Sequence, residues 1–285
     1  MKIQSKKELM TEEEYSLLRD LVNNEFGILL TGDKRLTLHT KISHRLSILG
    51  LETYKDYYDH IMSDATGEEL FTLASHVTNN ETYFFREQAQ LEVFANILRD
   101  IKKEKEGARH VIKILSVASS SGEEAYSLNI IMQEKGLFVW DWDITITGID
   151  IDRNAIQRAR EACYSNNSFR QLNGNKVLVD KYFIEEGDRL RLKRFLTRNV
   201  EFRHANIIGE HAFDGFDSID VIFCRNVLIY MSDDAIEKTI KNLHRCISDG
   251  GYLFIGSSES LIQRTNLFLP EYINGVIVYR KNVSG

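Results

Sequence analysis

Hydrophobic positions change their period once along this chain. Over the first hundred residues they recur at helical spacing, and no β-type alternation of any length precedes Val111. Thr11 with Glu14 three positions later makes a capping box, and Leu17, Leu18, Leu21 and Val22 continue it as a helical stripe. A second helix is expected from about Lys34 to Leu49, closed by Gly50, and a third from about Tyr54 to Ser63. From Val111 onward short apolar runs alternate with amphipathic ones. Val111 to Val117 reads as a buried strand and Glu123 to Gln133 as a helix. Trp142 to Ile149 reads as a strand ending at Asp150-Ile151-Asp152, and Asn154 to Tyr164 as a helix. Val200 to Phe202 is a short strand leading to Asn206, and Ile219 to Cys224 is a strand ending at Arg225-Asn226. A helix from Asp233 to Ile247, a turn at Asp249-Gly250-Gly251, a strand from Tyr252 to Ile255 and a last one from Val276 to Tyr279 complete the series.

Strands alternating with helices predict an α/β, Rossmann-like domain: a mostly parallel sheet covered on both faces. Residues 181–203 break the alternation. Polar and apolar residues swap around Glu186-Gly187-Asp188, which is a hairpin signature and predicts a small antiparallel subdomain inserted at about 178–203. The charged stretch from Lys102 to Arg109 reads as a linker, so the expected division is an all-helical N-terminal domain at 1–100 and an α/β domain at 101–285.

Composition narrows the class. Of 285 residues, 43% are hydrophobic and 27% charged, ordinary for a globular protein. A net charge of −6 argues against a general nucleic-acid binder, which is normally basic. No apolar run is long enough to span a membrane and no apolar leader opens the chain, so the expected location is the cytoplasm. Cys163, Cys224 and Cys246 are widely spaced and odd in number, which fits neither a disulfide framework nor a metal motif. They read as small buried residues.

The candidate chemistry sits where the first strand ends. Leu115 to Tyr126 passes from apolar residues through Ser119, Ser120 and Ser121 to Gly122, then to Glu123 and Glu124 at a helix start. Small residues there let a ligand approach the backbone. Two acids at the positive end of a helix would repel a phosphate and suit a cationic ligand instead. Asp150, 26 residues after Glu124, is placed to accept hydrogen bonds from a ribose diol. Plainer roles stand beside these: Asp150 or Asp152 as a helix cap, Glu123 and Glu124 as ordinary first-turn acids. The loop holds one glycine and no G-x-G-x-x-G, which counts against a dinucleotide but not against S-adenosylmethionine.

Several segments resemble, in order, the signatures of the CheR family of chemotaxis-receptor methyltransferases. Asn79-Asn80-Glu81-Thr82-Tyr83-Phe84-Phe85-Arg86-Glu87 is similar to that family's TNxTxFFRE, and Ser119 to Ser127 to its STGEEPYS. Asp150-Ile151-Asp152 matches DID, Phe223 to Tyr230 matches FCRNVxIY, and Gly256 to Ser260 resembles GHSE. The resemblance spans about residues 11 to 280. It implies methyl transfer from S-adenosylmethionine to glutamate side chains on the cytoplasmic helical domain of a transmembrane chemoreceptor, leaving S-adenosylhomocysteine. Asn80, Thr82 and Arg86 would then contact the cofactor, Glu124 its cationic amino-acid end, Asp150 the ribose, and Asn206 with Ile207 the adenine. Arg225 and Asn226 would complete the pocket, and Arg86 with Tyr230 would flank the reacting centre. Some members use a longer loop at the subdomain hairpin to hold a receptor's tail peptide. The short turn at Gly187 argues against such tethering here.

Lys34, Arg35, Lys41 and Arg45 lie in a stretch with no acids between Asp33 and Glu52. Three of them, Lys34, Lys41 and Arg45, share one helical face and would steer an acidic receptor helix. The same spacing also suits a plain solvated face. Phe84 and Phe85 read as core. A non-catalytic module that binds S-adenosylmethionine in a chemotaxis-like signalling system is the alternative function, disfavoured by Arg86 and Tyr230 both being present.

Overall fold

A computed structural model of the chain describes residues 9–30, 34–107, 110–137, 142–172 and 175–284. Two units emerge, one from residues up to Asn79 together with Tyr230–Ile236, the other from Asn80–Ile229 and Glu237 onward.

The first unit is helical: α1 (Glu12–Phe26), α2 (Arg35–Leu49), α3 (Tyr54–Ser63) and α4 (Glu68–Val77). The Thr11–Glu14 capping box forms, and Glu14 also accepts hydrogen bonds from the Tyr54 and Lys55 amides (2.9 and 3.2 Å). One carboxylate therefore joins the starts of α1 and α3. Gly50 ends α2 in the left-handed conformation, as the C-cap signal required, and Gly27 ends α1 in the same way. Leu18, Val22, Ile42, Leu46, Tyr57 and Leu73 fill the interior. Glu69 is buried among them, where it pairs with Arg45 and accepts the Tyr57 hydroxyl (2.8 Å). The short segment from Tyr230 returns to this unit. Leu29 donates its amide to the Tyr230 carbonyl (2.7 Å), and Ser232 donates to that of Gly27 (2.9 Å).

The second unit begins with α5 (Gln88–Glu104), β1 (Val111–Val117), α6 (Glu123–Glu134), β2 (Asp143–Asp150) and α7 (Arg153–Glu161). β3 (Cys163–Ser165), α8 (Lys176–Tyr182), β4 (Phe183–Glu186) and β5 (Arg189–Leu192) follow. Then come β6 (Val200–His204), β7 (Ile219–Cys224), α9 (Asp233–Cys246), β8 (Ile247–Ile255), β9 (Phe268–Ile273) and β10 (Val276–Lys281). The main sheet has the order β6-β2-β1-β7-β8-β10-β9. Its first five strands run parallel, and β10 and β9 are added antiparallel. β3, β5 and β4 form the small antiparallel sheet. The fold is thus the Rossmann-like α/β arrangement expected, with its antiparallel insert and its helical N-terminal unit.

Particular boundaries moved. The expected division near residue 100 lies instead at Asn79–Asn80. The reason is α5: Leu91, Phe94 and Leu98 are buried in the α/β core, and Phe94 packs edge-on against Phe223 of β7 at 5.4 Å. Burial of each such side chain contributes about 1.5–3 kcal/mol, far more than the charged tail of α5 can oppose. Cys163–Ser165, expected as a helix end, is a strand: Ala162 turns left-handed (φ 50°) and stops α7. The insert therefore starts earlier than residue 178, and Val200–His204 leaves it for the edge of the main sheet. The turn at Asp249-Gly250-Gly251 is absorbed into β8 as an irregularity opposite Ile219–Val221. Phe84 and Phe85 are core, as expected. Phe84 packs on Tyr164, Phe169 and Phe183 at centroid distances of 4.9–5.1 Å. Among the described residues, no helix is long and apolar enough to cross a membrane.

Removing Arg45 leaves Glu69 as a buried carboxylate whose remaining side-chain hydrogen bond is to the Tyr57 hydroxyl. Arg45→Ala is expected to cost about 3 kcal/mol of stability, whereas Lys41→Ala on the exposed face stays within about 0.5 kcal/mol. Urea denaturation of the two variants checks this.

Candidate active site

Parallel register brings the functional loops to one edge. Val117 at the end of β1 lies opposite Ile149 of β2 and Cys224 of β7, and Asp150 lies opposite His204 of β6. The residues that follow each strand therefore emerge together, as ligand-binding loops of open α/β sheets do. The loop after β1 is tightly wound. Ala118 and Ser120 have positive φ (55° and 51°), and so does Gly122 (90°). At Gly122 the choice of residue is forced, since a Cβ would lie 2.8 Å from the Phe202 ring and 2.9 Å from Ala159 Cβ.

The two acids at the start of α6 part company. Glu123 is buried, accepts the Ser121 and Ser168 hydroxyls (2.8 and 2.9 Å), and is pushed up in pKa by that burial. Its role is internal. Glu124 accepts the Ser116 hydroxyl (2.7 Å) through one oxygen and faces Arg225 through the other. Burial raises its pKa, and Arg225 pulls it back. Arg225 Nε lies 3.1 Å from Glu124 Oε2 at an angle too poor for a hydrogen bond, and Nη2 donates to the Arg86 carbonyl (2.9 Å). Nη1 has no partner among the described residues, although the side chain is only 2% exposed. Buried guanidinium donors are seldom left unmet.

Asp150 is buried at the end of β2. It accepts the amides of Ser120 and Asp152, each at 2.8 Å, so it fixes the β1 loop as well as its own. Burial raises its pKa from 3.8 to about 6, the nearby Asp152 charge adds to the rise, and the two amides oppose it. Asp152 takes the capping role considered for it, accepting the Asn154 amide (2.9 Å) at the start of α7. Asn80 donates to Asp152 Oδ2 (2.5 Å), and its carbonyl accepts the Ser120 hydroxyl (3.2 Å). Asn80 therefore ties the segment before α5 to both loops. Asn206 and Ile207 lie just past β6, where the Ala205 amide bonds the Asp150 carbonyl (2.9 Å). Ile207 is buried, and its carbonyl accepts from Asn242 (3.3 Å).

Asn226 follows Arg225 with φ of 57°. Its amide donates to Glu259 (2.8 Å) and its side chain to Glu87 (3.2 Å). Arg86 donates to the Glu81 carbonyl (3.1 Å) and sits over the Tyr83 ring at 5.6 Å; the Thr82 hydroxyl makes no hydrogen bond among the described residues. Tyr230 belongs to the helical unit, where its hydroxyl accepts a hydrogen bond from Asn79 (3.0 Å).

Of the basic residues on α2, Arg45 is not free to dock anything, being committed to Glu69. Arg35 lies 3.6 Å from Glu12, while Lys41 is exposed. Ser116, Glu87 and Glu259 are site-building residues that sequence reasoning gave no role. Glu87 and Glu259 stood inside recognised motifs; Ser116 left no signal, because strand pairing alone sets it beneath Glu124. The cysteines are free and buried, and burial drives the Cys224 thiol well up. Among the described residues, no group of three or more His, Cys, Asp or Glu side chains is arranged to hold a metal.

With this geometry in hand, comparison with known proteins is specific. Residues 80–274 match the family model described as CheR methyltransferase, SAM binding domain, and residues 13–78 match CheR methyltransferase, all-alpha domain. The chain is 30% identical over 262 residues to chemotaxis protein methyltransferase 2 of Vibrio cholerae, covering 91% of this chain and 90% of that protein. It is 30% identical over 277 residues to a chemotaxis protein methyltransferase of Borreliella burgdorferi, covering 96% and 95%.

Because folding raises the Asp150 pKa, its protonated form is the one the fold favours. Its stabilising contribution is complete below about pH 4 and is lost as pH rises through about 6. Stability of Asp150→Asn relative to wild type should therefore shift in the variant's favour between pH 4 and 7, by at most about 3 kcal/mol. Thermal melts in matched buffers measure this, and a difference independent of pH would contradict it.

Proposed function

The chain belongs to the CheR methyltransferase family, and from that premise we propose that it transfers a methyl group from S-adenosylmethionine to glutamate side chains of a chemoreceptor. The product is a glutamate methyl ester that tunes sensory adaptation. The observation that carries the reading is the partly exposed Glu124 facing buried Arg225, with guanidinium donors left over. The cofactor ends in an amino acid, which presents an ammonium and a carboxylate together. Glu124 suits the first, and the unmet donors of Arg225 suit the second.

The other residues fit the same molecule. Asp150 spends one lone pair of each oxygen on a backbone amide and keeps others for ribose hydroxyls. We assign Asn206 and Ile207 to the adenine, and Asn80, Thr82 and Asn226 to the walls. Asn80 acts there through Asp152 and the Ser120 loop. Glu123, turned inward, is not assigned to the cofactor. When bound, S-adenosylmethionine supplies an electrophilic methyl group on a sulfonium.

A receptor glutamate has an ordinary pKa of about 4.3, so it arrives as a carboxylate and needs no general base. What remains for the protein is to hold and orient it. Arg86 keeps free donors after bonding the Glu81 carbonyl, and we assign it to one oxygen of the acceptor, leaving the other to attack. The Tyr230 hydroxyl accepts from Asn79 within the helical unit. On the helical unit, Lys34, Arg35 and Lys41 remain the cations for steering an acidic receptor helix; Arg45 leaves that set.

Incubation with methyl-labelled S-adenosylmethionine and receptor-containing membranes should place base-labile label on the receptor. Arg86→Ala should lower the rate at least about 100-fold. Near-normal methylation by that variant, or cofactor binding with no transfer to any receptor, would overturn the proposal.

A further inference from the structure

We propose that Glu259 is a positioning residue for the cofactor pocket: its carboxylate locks the Arg225–Asn226 turn and so aims the Arg225 guanidinium at Glu124. The inference rests on the reading of Arg225 given above.

The turn after β7 needs such a lock. Asn226 sits in the left-handed region (φ 57°), sparsely populated outside glycine although asparagine is among the residues that enter it most readily. Glu259 supplies the constraint. Its Oε2 accepts the amides of Asn226 (2.8 Å) and Gly256 (2.6 Å), and its Oε1 accepts that of Ile229 (3.3 Å). A second carboxylate repeats the pattern from the other side. Glu87 accepts the Asn226 side-chain amide (3.2 Å) and the Ser257 backbone amide (3.1 Å). Among the described residues neither carboxylate pairs with a cation. Both spend their charge on main-chain and amide donors, and such charge-assisted bonds are roughly twice as strong as neutral ones.

The fit leaves no slack. A Cβ on Gly256 would lie 2.6 Å from Asn226 Nδ2, 2.7 Å from Glu259 Oε2 and 3.0 Å from the Asn226 amide nitrogen. Only a glycine lets the loop after β8 press against the loop after β7. The loop after β8 thus reaches the cofactor by way of Asn226, one residue from a guanidinium that bonds the Arg86 carbonyl and faces Glu124.

The chemistry separates holding from charge. A glutamine keeps one acceptor oxygen for the two short bonds and forfeits only the long one to Ile229. S-adenosylmethionine binding is measured by calorimetric titration on the full chain, with melting temperatures alongside, for wild type, Arg225→Ala, Glu259→Ala, Glu259→Gln and Gly256→Ala. Glu259→Ala and Gly256→Ala should each weaken binding about tenfold or more, and Glu259→Gln should stay within about threefold of wild type. Gly256→Ala keeps the test open if Glu259→Ala does not fold. Weakened binding by Arg225→Ala beside wild-type binding by Glu259→Ala or Gly256→Ala overturns the positioning role. Equal losses in Glu259→Gln and Glu259→Ala would overturn it too, since they would mean that charge is what matters. Wild-type binding by Arg225→Ala would instead sink the pocket reading on which the inference rests.

Discussion

In-register pairing of β2, β1 and β7 is the constraint on which the α/β unit depends. It sets Val117 level with Ile149 and Cys224, so three chains leave the sheet at one edge and must turn at once. Those turns use the left-handed backbone region: Ala118, Ser120, Gly122 and Asn226 all have positive φ, a strain for the alanine and the serine, tolerated by the asparagine and costless for the glycine. Strain of this kind persists only where neighbours over-determine it. Here the neighbours are carboxylates. Asp150 holds the Ser120 amide, Asp152 holds Asn80, and Glu259 holds Asn226.

Acids therefore do two jobs in one small region. Some are spent on the fold: Glu123 on two serines, Asp152 on a helix start, Glu259 on three amides. Glu124 is different, because its partner Arg225 is itself incompletely satisfied. A buried ion pair is costly unless further hydrogen bonds meet its remaining donors. A ligand with one positive and one negative group would meet that need from both sides, and on the proposed reading the unmet donors of the free protein are what select it.

Much of this is legible in the sequence. β1 and β7 stand at the residues their apolar runs mark, and the Thr11 box and Gly50 end their helices as the local chemistry demands. The hairpin at Gly187 forms where period-two alternation placed it. What failed was information that only tertiary contact carries. Helical arithmetic puts Lys34, Lys41 and Arg45 on one face, but Glu69, 24 residues after Arg45, captures the arginine. Adjacent Glu123 and Glu124 look equivalent in sequence, and the roughly 100° between neighbouring helix positions sends them to different surroundings. β3 is three residues long, too short to show a period, and β9 was missed with Pro270 inside it. Charge at the end of α5 resembles a linker, but the apolar face of that helix packs in the α/β core, so the division falls at Asn79–Asn80.

The central claim is that the Glu124–Arg225 pair reads the amino-acid end of the cofactor. The direct measurement compares calorimetric affinity of the wild-type chain for S-adenosylhomocysteine and for 5′-methylthioadenosine, which shares the nucleoside but lacks that end. The truncated ligand is expected to bind more weakly by at least about 100-fold, with the gap collapsing in Glu124→Gln. Comparable affinity for the two ligands would contradict it.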